Sequence, residues 1–199
     1  METEIEAKFL NVNINSLRKT LKSLKTKLIH PEIIMHRKNF DYPNKRLQKI
    51  GGWIRVRNEG DKITLSYKQL NDRTLHGTKE VTINVNDFDK TCLLLSTIGF
   101  KQSSYQETKR EKWLLDKCEI TIDTWPWVPT FIEIESNDEE SVKNVSKKLG
   151  FKLSNAMHGS VEIIYQTYYN VTEDEVDKWE AITFTPIPNW LENKRINSH

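Results

Sequence analysis

The sequence has little of several features that mark common classes of protein. Only two of its 199 residues are cysteines, Cys92 and Cys118, and their spacing matches no disulfide framework or zinc motif. No apolar run approaches the roughly 18 residues that a membrane-spanning helix needs. With Glu2, Glu4 and Glu6, the amino terminus lacks the basic start of a signal peptide. We therefore expect a cytoplasmic protein that does not enter a membrane.

Neither sign of charge is in excess. The chain carries 30 Lys and Arg against 28 Asp and Glu, and 37% of its residues are hydrophobic. This composition is typical of a soluble globular protein, and it argues against the global basic field that drives unspecific nucleic-acid binding. The seven glycines form neither a Walker loop nor a Rossmann pattern. Nucleic acid is not an expected partner, and any charge-driven function must come from the local arrangement of charges.

Apolar and polar residues alternate with a period of two along most of the chain, which predicts half-buried β-strands. Eight segments show this alternation: residues 2–9, 36–42, 53–57, 63–68, 81–85, 105–114, 120–123 and 131–135. Three amphipathic helices are predicted between them, capped by Asn15 or Ser16, by Asp87 and by Asp138, with apolar positions of the first extending to Leu28. The pattern predicts one domain over residues 1–170, and then a peripheral helix near 173–182 and a loosely held tail to 199.

Charged residues share faces of these strands, because neighbours i and i+2 point the same way. Acids concentrate on two strands, at Glu4, Glu6, Glu133 and Glu135. Bases concentrate on others, at Lys8, Arg55, Arg57, Lys68 and Arg110. The simplest interpretation is an ordinary sheet with its polar face in water. If the sheet instead closes with these faces inward, it forms a channel that holds a glutamate cluster beside a basic cluster.

Such a channel suits a polyanion held together with divalent cations. A linear triphosphate carries about four negative charges near neutral pH, and several Lys and Arg side chains are needed to hold it. Magnesium prefers oxygen ligands and usually binds through one or two carboxylates together with substrate phosphates. The charged strand faces therefore predict a site for a triphosphate and a metal ion.

Ordered motifs over residues 2 to about 165 strengthen this prediction. An E-x-E-x-K pattern is met by Glu4, Glu6 and Lys8. The segment "FDYP" precedes "WIRVR", and "LSYK" follows. The most specific segment is "DTWPWVPTFIEIE", which matches the pattern D-x-x-x-x-x-G-x-F-x-E-I-E with Pro129 in place of Gly. The arrangement resembles the CYTH superfamily, the triphosphate tunnel metalloenzymes, which includes class IV adenylyl cyclases, thiamine triphosphatases and inorganic triphosphatases.

The resemblance implies an α+β fold, an eight-stranded antiparallel β-barrel with flanking α-helices, and a Mg²⁺ or Mn²⁺ cofactor. The metal ligands that it implies are Glu4, Glu6, Asp123, Glu133 and Glu135. The substrate-binding residues are Lys8, Arg37, Arg55, Arg57, Lys68, Glu80 and Arg110, of which Arg37 and Glu80 have a surface position as their alternative. The residues predicted to be catalytic are Glu4, Glu6, Lys8 and Lys68.

The chain departs from the family pattern at two strands. Where the family often has R-x-E-x-E, this sequence has Thr78, Glu80 and Thr82. On the sixth strand, where the family often has K-x-R before a Tyr, Thr108 and Arg110 precede Trp113. The resemblance implies a metal-dependent hydrolase of inorganic or organic triphosphates, such as tripolyphosphate, thiamine triphosphate or a nucleoside triphosphate. The alternatives are a class IV adenylyl cyclase that forms cyclic AMP and pyrophosphate, or a non-catalytic binder of polyphosphate or nucleotide. A monomer and a homodimer are both compatible with the sequence.

Overall fold

A computed structural model describes residues 1–196, and its centre is a barrel of eight antiparallel strands. The strands of the sheet are β1 Glu2–Phe9, β2 Lys27–Asp41, β3 Gly52–Asn58, β4 Ile63–Leu70, β5 Thr78–Val85, β6 Lys101–Leu115, β7 Cys118–Thr124, β8 Phe131–Ser136 and β9 Ala181–Ile182. Their order around the barrel is β2-β3-β4-β5-β1-β8-β7-β6, and pairing of β6 with β2 closes it. The predicted eight-stranded antiparallel barrel is confirmed.

Helices cover the outside of the barrel. Their bounds are α1 Ile14–Ser23, α2 Phe88–Thr97, α3 Glu139–Lys148, α4 Glu162–Tyr168, α5 Glu173–Val176 and α6 Asn189–Glu192. The side chains of Asp87 and Asp138 cap α2 and α3 as predicted. The prediction for α1 was wrong at both ends, because Asn13 is its cap and the helix stops before a left-handed turn at Lys25. Leu28 lies in β2 instead, opposite Trp113 of β6.

The alternation in β1 explains why the inside of the barrel is polar. Ile5, Ala7 and Phe9 point outward and pack with the buried residues of α1, α3 and β8, so the alternating Glu4 and Glu6 point inward. The main hydrophobic core therefore lies between the barrel wall and its helices. An ordinary sheet with these charged faces in bulk water is excluded.

The carboxyl-terminal segment packs against the barrel and extends its sheet. The predicted helix near 173–182 begins at Glu173 but is shorter than predicted, since α5 ends at Val176 and Ala181–Ile182 forms β9, parallel to β6. Ile182 and Leu191 are buried, so the segment up to residue 196 is not a loosely held tail. The last three residues of the predicted tail lie outside the described residues, and the boundary at residue 170 stays a prediction. No helix within residues 1–196 is long and apolar enough to cross a membrane.

Candidate functional site

A cavity of about 620 Å³ occupies the barrel, and side chains of all eight barrel strands or their adjoining loops line it. Eleven of the twelve residues predicted from the sequence contribute to its lining: Glu4, Glu6, Lys8, Arg37, Arg55, Arg57, Lys68, Glu80, Arg110, Glu133 and Glu135. The twelfth, Asp123, is fully buried behind the lining. The fold thus brings the predicted acids and bases into one enclosed space, while their functional roles stay predictions.

Lys8 lies between carboxylates of two neighbouring strands. Its Nζ atom is 2.5 Å from Oε1 of Glu6 and 3.3 Å from Oε1 of Glu133. Burial opposes the charge of Lys8, but the two carboxylates outweigh it and raise the lysine pKa. Burial likewise opposes ionisation of Glu133, while Lys8 and Arg110 together lower its pKa to about 2. Lys8 and Glu133 are therefore both charged at neutral pH.

Lys68 forms a second cluster with Glu4 and Glu80. Its Nζ atom is 2.7 Å from both carboxylate oxygens of Glu4 and 2.5 Å from Oε2 of Glu80. Burial raises the pKa of Glu4 to about 8; Lys68 opposes this rise, and the neighbouring Glu80 and Glu135 add to it. Burial also raises the pKa of Glu135. Burial thus favours the protonated form of Glu4 and Glu135, and the neighbouring carboxylates add to the effect.

The chemistry of this carboxylate cluster fits a divalent metal ion. Within residues 1–196 no three His, Cys, Asp or Glu side chains converge closely enough to form a complete metal site. The ammonium groups of Lys8 and Lys68 lie between the carboxylates instead. The donors are nevertheless hard oxygens, which Mg²⁺ and Mn²⁺ prefer. Burial raises the pKa of Glu4 and Glu135, so a cation placed beside either group would favour its ionised form.

Three arginines form a basic patch on β2 and β3. Arg37 on β2 is directly opposite Arg57 on β3, and Arg55 lies on β3 two positions before Arg57. Burial, together with the neighbouring arginines, lowers the pKa of Arg37, and it lowers that of Arg55 to about 10. The Nε atoms of both side chains are buried and have no hydrogen-bond partner among the described residues. Unpaired donors and mutual repulsion at one wall are the features of an anion site.

Two neighbouring side chains, Thr108 and Trp125, hold Arg37 in place. Its Nη2 atom donates to the hydroxyl of Thr108 at 2.9 Å, and its guanidinium lies 4.6 Å from the centre of the Trp125 ring. Trp125 lies in the segment between β7 and β8. In the structure it is buried and supports Arg37 by a cation–π contact.

Asp123 is engaged by Arg110, which it shares with Glu133. Arg110 donates from Nε and Nη2 to the two oxygens of Asp123, at 2.6 and 3.0 Å, and from Nη2 to Glu133 at 2.8 Å. Thr121 also donates to Asp123, at 2.5 Å. The carboxylate thus orients Arg110 beside Glu133, and it joins the metal-ligand set only if Arg110 moves.

Sequence reasoning missed several charged residues of the cavity. Glu59 accepts bonds from Arg57 at 2.9 and 2.6 Å, and Arg57, after the opposing effect of burial, lowers its pKa to about 2. The signal was present, because Glu59 continues the alternation of Arg55 and Arg57. No such signal marks Glu162, which reaches the cavity only because α4 packs over the barrel.

Another acid at the mouth of the cavity has a structural role. Asp41 accepts three backbone N–H bonds, from Tyr42 at 2.6 Å, Leu47 at 3.0 Å and Gln48 at 2.9 Å. The carboxylate thereby fastens the loop of residues 42–48 at the end of β2. It has little capacity left for a ligand.

Solved structures share this barrel. A candidate adenylate cyclase from Vibrio parahaemolyticus superposes with a TM-score of 0.71 at 15% identity, over 83% of this chain and 98% of that one. A conserved hypothetical protein from Pyrococcus furiosus matches with a TM-score of 0.63 at 21% identity, over 77% and 94%. A candidate adenylyl cyclase from Hippeastrum, described as having a dominant triphosphatase activity, matches with a TM-score of 0.53 at 14% identity, over 89% and 95%. At these identities the likeness shows the fold alone.

The sequence itself matches one family model. Among curated proteins, none matches the chain. The model of the CYTH domain, in contrast, matches residues 2–168, which include every predicted site residue. The chain therefore belongs to the CYTH family, the triphosphate tunnel metalloenzymes that its motifs resemble.

Proposed function

We propose that the protein is a divalent-metal-dependent triphosphatase, which hydrolyses the terminal phosphoanhydride bond of an inorganic or organic triphosphate inside the barrel. The observation that carries this proposal is the division of charge within one cavity. Glu4 and Glu135 form an acidic wall that can accept positive charge, and Arg37 and Arg55 form a basic wall with unpaired buried donors. A metal ion and a polyphosphate chain together satisfy both walls.

Together with Glu6 and Glu133, the two glutamates of the acidic wall, Glu4 and Glu135, would hold the metal ion. When bound, Mg²⁺ or Mn²⁺ supplies neutralisation of the charge that develops on the phosphoryl oxygens. These carboxylates lie on the adjacent strands β1 and β8, where Glu6 is directly opposite Glu135. Their placement on paired strands of a closed barrel keeps the oxygens in fixed positions, which is a requirement for efficient electrostatic catalysis.

The basic residues would bind and orient the phosphates. Arg37, Arg55 and Arg57 surround one part of the cavity, while Lys8, Lys68 and Arg110 stand beside the acids. With phosphate present, the two lysines exchange a carboxylate partner for a phosphate oxygen, since both are charge-assisted hydrogen bonds of similar geometry. The enclosed position of these cations strengthens their interaction with the substrate, because little water screens it.

The nucleophile in this proposal is a water molecule that a glutamate of the acidic wall orients toward the terminal phosphorus. Phosphoryl transfer needs positioning and charge stabilisation more than covalent chemistry from the protein. The same cavity could instead orient a ribose 3′-hydroxyl toward the α-phosphorus, which is the cyclase alternative. Hydrolysis is preferred because it needs only the phosphate-binding groups that the barrel contains.

A product assay tests the proposal. The protein is incubated with tripolyphosphate or ATP, in the presence of Mg²⁺ or Mn²⁺ and, in parallel, of a chelator. Metal-dependent release of orthophosphate supports the triphosphatase. Cyclic AMP and pyrophosphate as the main products from ATP would show the cyclase instead. Metal-dependent binding of tripolyphosphate without turnover of any triphosphate would identify a non-catalytic binder.

A further inference from the structure

One edge of the barrel sheet is open along β5. On one side of this strand, β4 pairs with its whole length. On the other side, β1 pairs only with residues 78–80. Among residues 1–196, no strand pairs with this second side of residues 81–85. The backbone N–H and C=O groups that point to this side therefore lack a partner strand.

Three common protections of an edge strand are absent from this segment. Residues 81–85 read V-T-I-N-V, which includes no charged residue and no proline. Their pairing with β4 continues in one register, without a bulge. Soluble proteins use charges, proline or bulges to keep an open edge from pairing with a strand of another molecule. The free edge of residues 81–85 therefore has the features of an interface.

The outer face of the same segment is apolar and exposed. Val81 is 50% exposed and Ile83 is 55% exposed. Ile83 is opposite Leu65 of β4, which packs on the hydrophobic cluster to which α2 contributes. On its exposed side, α2 adds Leu93 and Leu94 to the apolar surface of this part of the barrel. Exposed apolar area of this kind marks surfaces that bind other proteins.

The segment is complementary to a second copy of itself. In an antiparallel pair centred on Ile83, a two-fold axis places this residue opposite the Ile83 of the second copy. Val81 is then opposite Val85, so apolar side chains meet on the outer face. Thr82 is opposite Asn84 on the inner face, where the two side chains can form a hydrogen bond. The two edges thus pair without bringing like charges together.

Charges on either side of the segment favour the same occupant. Lys79 lies four positions before Ile83, and Asp87 lies four positions after it. In the symmetric pair, each Lys79 is therefore directed toward the Asp87 of the other copy, at both ends of the interface. The side chain of Lys79 is exposed and that of Asp87 is partly exposed. Complementary charges at the rim of an interface fix its register and favour the correct partner.

We propose that the free edge of residues 81–85 binds a second copy of this chain, so that the sheets of two barrels become continuous. Main-chain hydrogen bonds supply affinity in this mode of binding, and the alternating side chains supply specificity. The interface also reaches the cavity, because Thr82 lines it. Asn84 of the second copy would then lie beside Thr82 at this wall. The proposal is independent of the reaction that takes place in the barrel.

Sedimentation velocity tests the proposal at protein concentrations from about 1 to about 100 µM, the range in which a modest interface dissociates. We expect a reversible dimer for the wild type. Ile83→Lys places like charges opposite each other at the two-fold axis and should weaken dimerisation at least about tenfold. Because Ile83 is exposed, this variant should keep the fold, which its melting temperature checks. The matched control is Ile34→Lys, which changes an exposed isoleucine of β2 and should leave the dimer unchanged.

A mixing experiment tests the two-fold pairing itself. Ile83→Lys and Ile83→Glu should each be monomeric alone, whereas their equimolar mixture should form heterodimers, because opposite charges then meet at the axis. Amide hydrogen exchange adds a readout of the backbone. In the wild type, exchange of residues 81–85 should slow as the protein concentration rises, because the second copy then protects their N–H groups.

Several results would overturn the proposal. A wild type that stays monomeric at every concentration would show that this edge binds no second copy and is free for a strand of a different protein. A dimer that Ile83→Lys leaves intact, or that Ile34→Lys weakens equally, would place the interface elsewhere. If the mixture of the two Ile83 variants stays monomeric, the two residues do not face each other across the axis.

Discussion

The ammonium nitrogen of Lys68 lies 2.7 Å from each carboxylate oxygen of Glu4, across the strand that separates their own two strands. This contact spans 64 positions of the sequence. The contact opposes the rise that burial causes in the pKa of Glu4. Binding of substrate would break this contact, because Glu4 would then bind the metal ion and Lys68 a phosphate oxygen.

The acidic wall is the first target for mutation. We expect Glu4→Gln to lower kcat/KM for the preferred triphosphate by at least about 100-fold, because even outer-sphere partners of a metal ligand cost roughly 10- to 100-fold when they are changed. Steady-state kinetics over a range of Mn²⁺ concentrations measure the effect. The control is Glu140→Gln on the exposed face of α3. Near wild-type activity of Glu4→Gln at all metal concentrations would remove this residue from the site.

We expect the buried arginines of the basic wall to contribute to phosphate binding but not to the stability of the fold. Arg55→Met removes a buried guanidinium whose charge is disfavoured by burial and by Arg57, so we expect the melting temperature to stay equal or to rise. The same change should weaken tripolyphosphate binding at least about tenfold, since a buried charge-assisted contact is lost. Calorimetry measures both quantities. The exposed Arg46, which stacks on Tyr42 outside the cavity lining, provides the charge-matched control Arg46→Met. A clear loss of stability in Arg55→Met alone would contradict this account.

The raised pKa of Glu162 predicts a pH-dependent stability. In the folded protein this pKa is about 7, against the ordinary value of 4.5, so the folded state binds the proton more tightly. Stability is full below pH 4.5 and is lost as the pH rises through 7, by up to about 3 kcal/mol. Glu162→Gln cannot ionise and should therefore gain stability relative to the wild type between pH 5 and pH 8. Urea unfolding measures the difference in unfolding free energy between the variant and the wild type at pH 5 and at pH 8. The same difference at both pH values would show that burial does not raise the pKa of Glu162.

The carboxyl-terminal segment should stabilise the domain. Leu191 of α6 is fully buried, with Tyr165 and Ile182 in the same cluster, so Leu191→Ala should lower the free energy of unfolding by about 2 to 5 kcal/mol. The matched control is Leu93→Ala, because the side chain of Leu93 on α2 is 66% exposed. Chemical denaturation measures both variants. If both variants lower the free energy of unfolding by a similar amount, the carboxyl-terminal segment is loosely held, as the sequence predicts.

The alternation of β1 shows why most of the fold and site could be predicted from sequence. A period of two fixes which side chains share a face, so the sequence alone predicts that Glu4, Glu6 and Lys8 lie together. The same rule extends to Glu59, which lies two positions after Arg57 and continues its face beyond the end of β3. Glu162 was not predictable, because its position depends on how α4 packs over the barrel. β9 was not predictable either, because a strand of two residues is too short to show an alternating pattern.

The pairing of β1 with β8 has a consequence for the synthesis of the protein. Glu6 of β1 lies opposite Glu135 of β8, and the sequence between them includes most strands of the barrel. Such long-range pairing forms slowly, because the loop must close before the contact contributes. A ribosome-bound chain shorter than about 136 residues has no eighth strand, and β1 then keeps an unpaired edge. The nascent protein therefore gains its charged cavity in one late step, and until then its first strand depends on protection from aggregation.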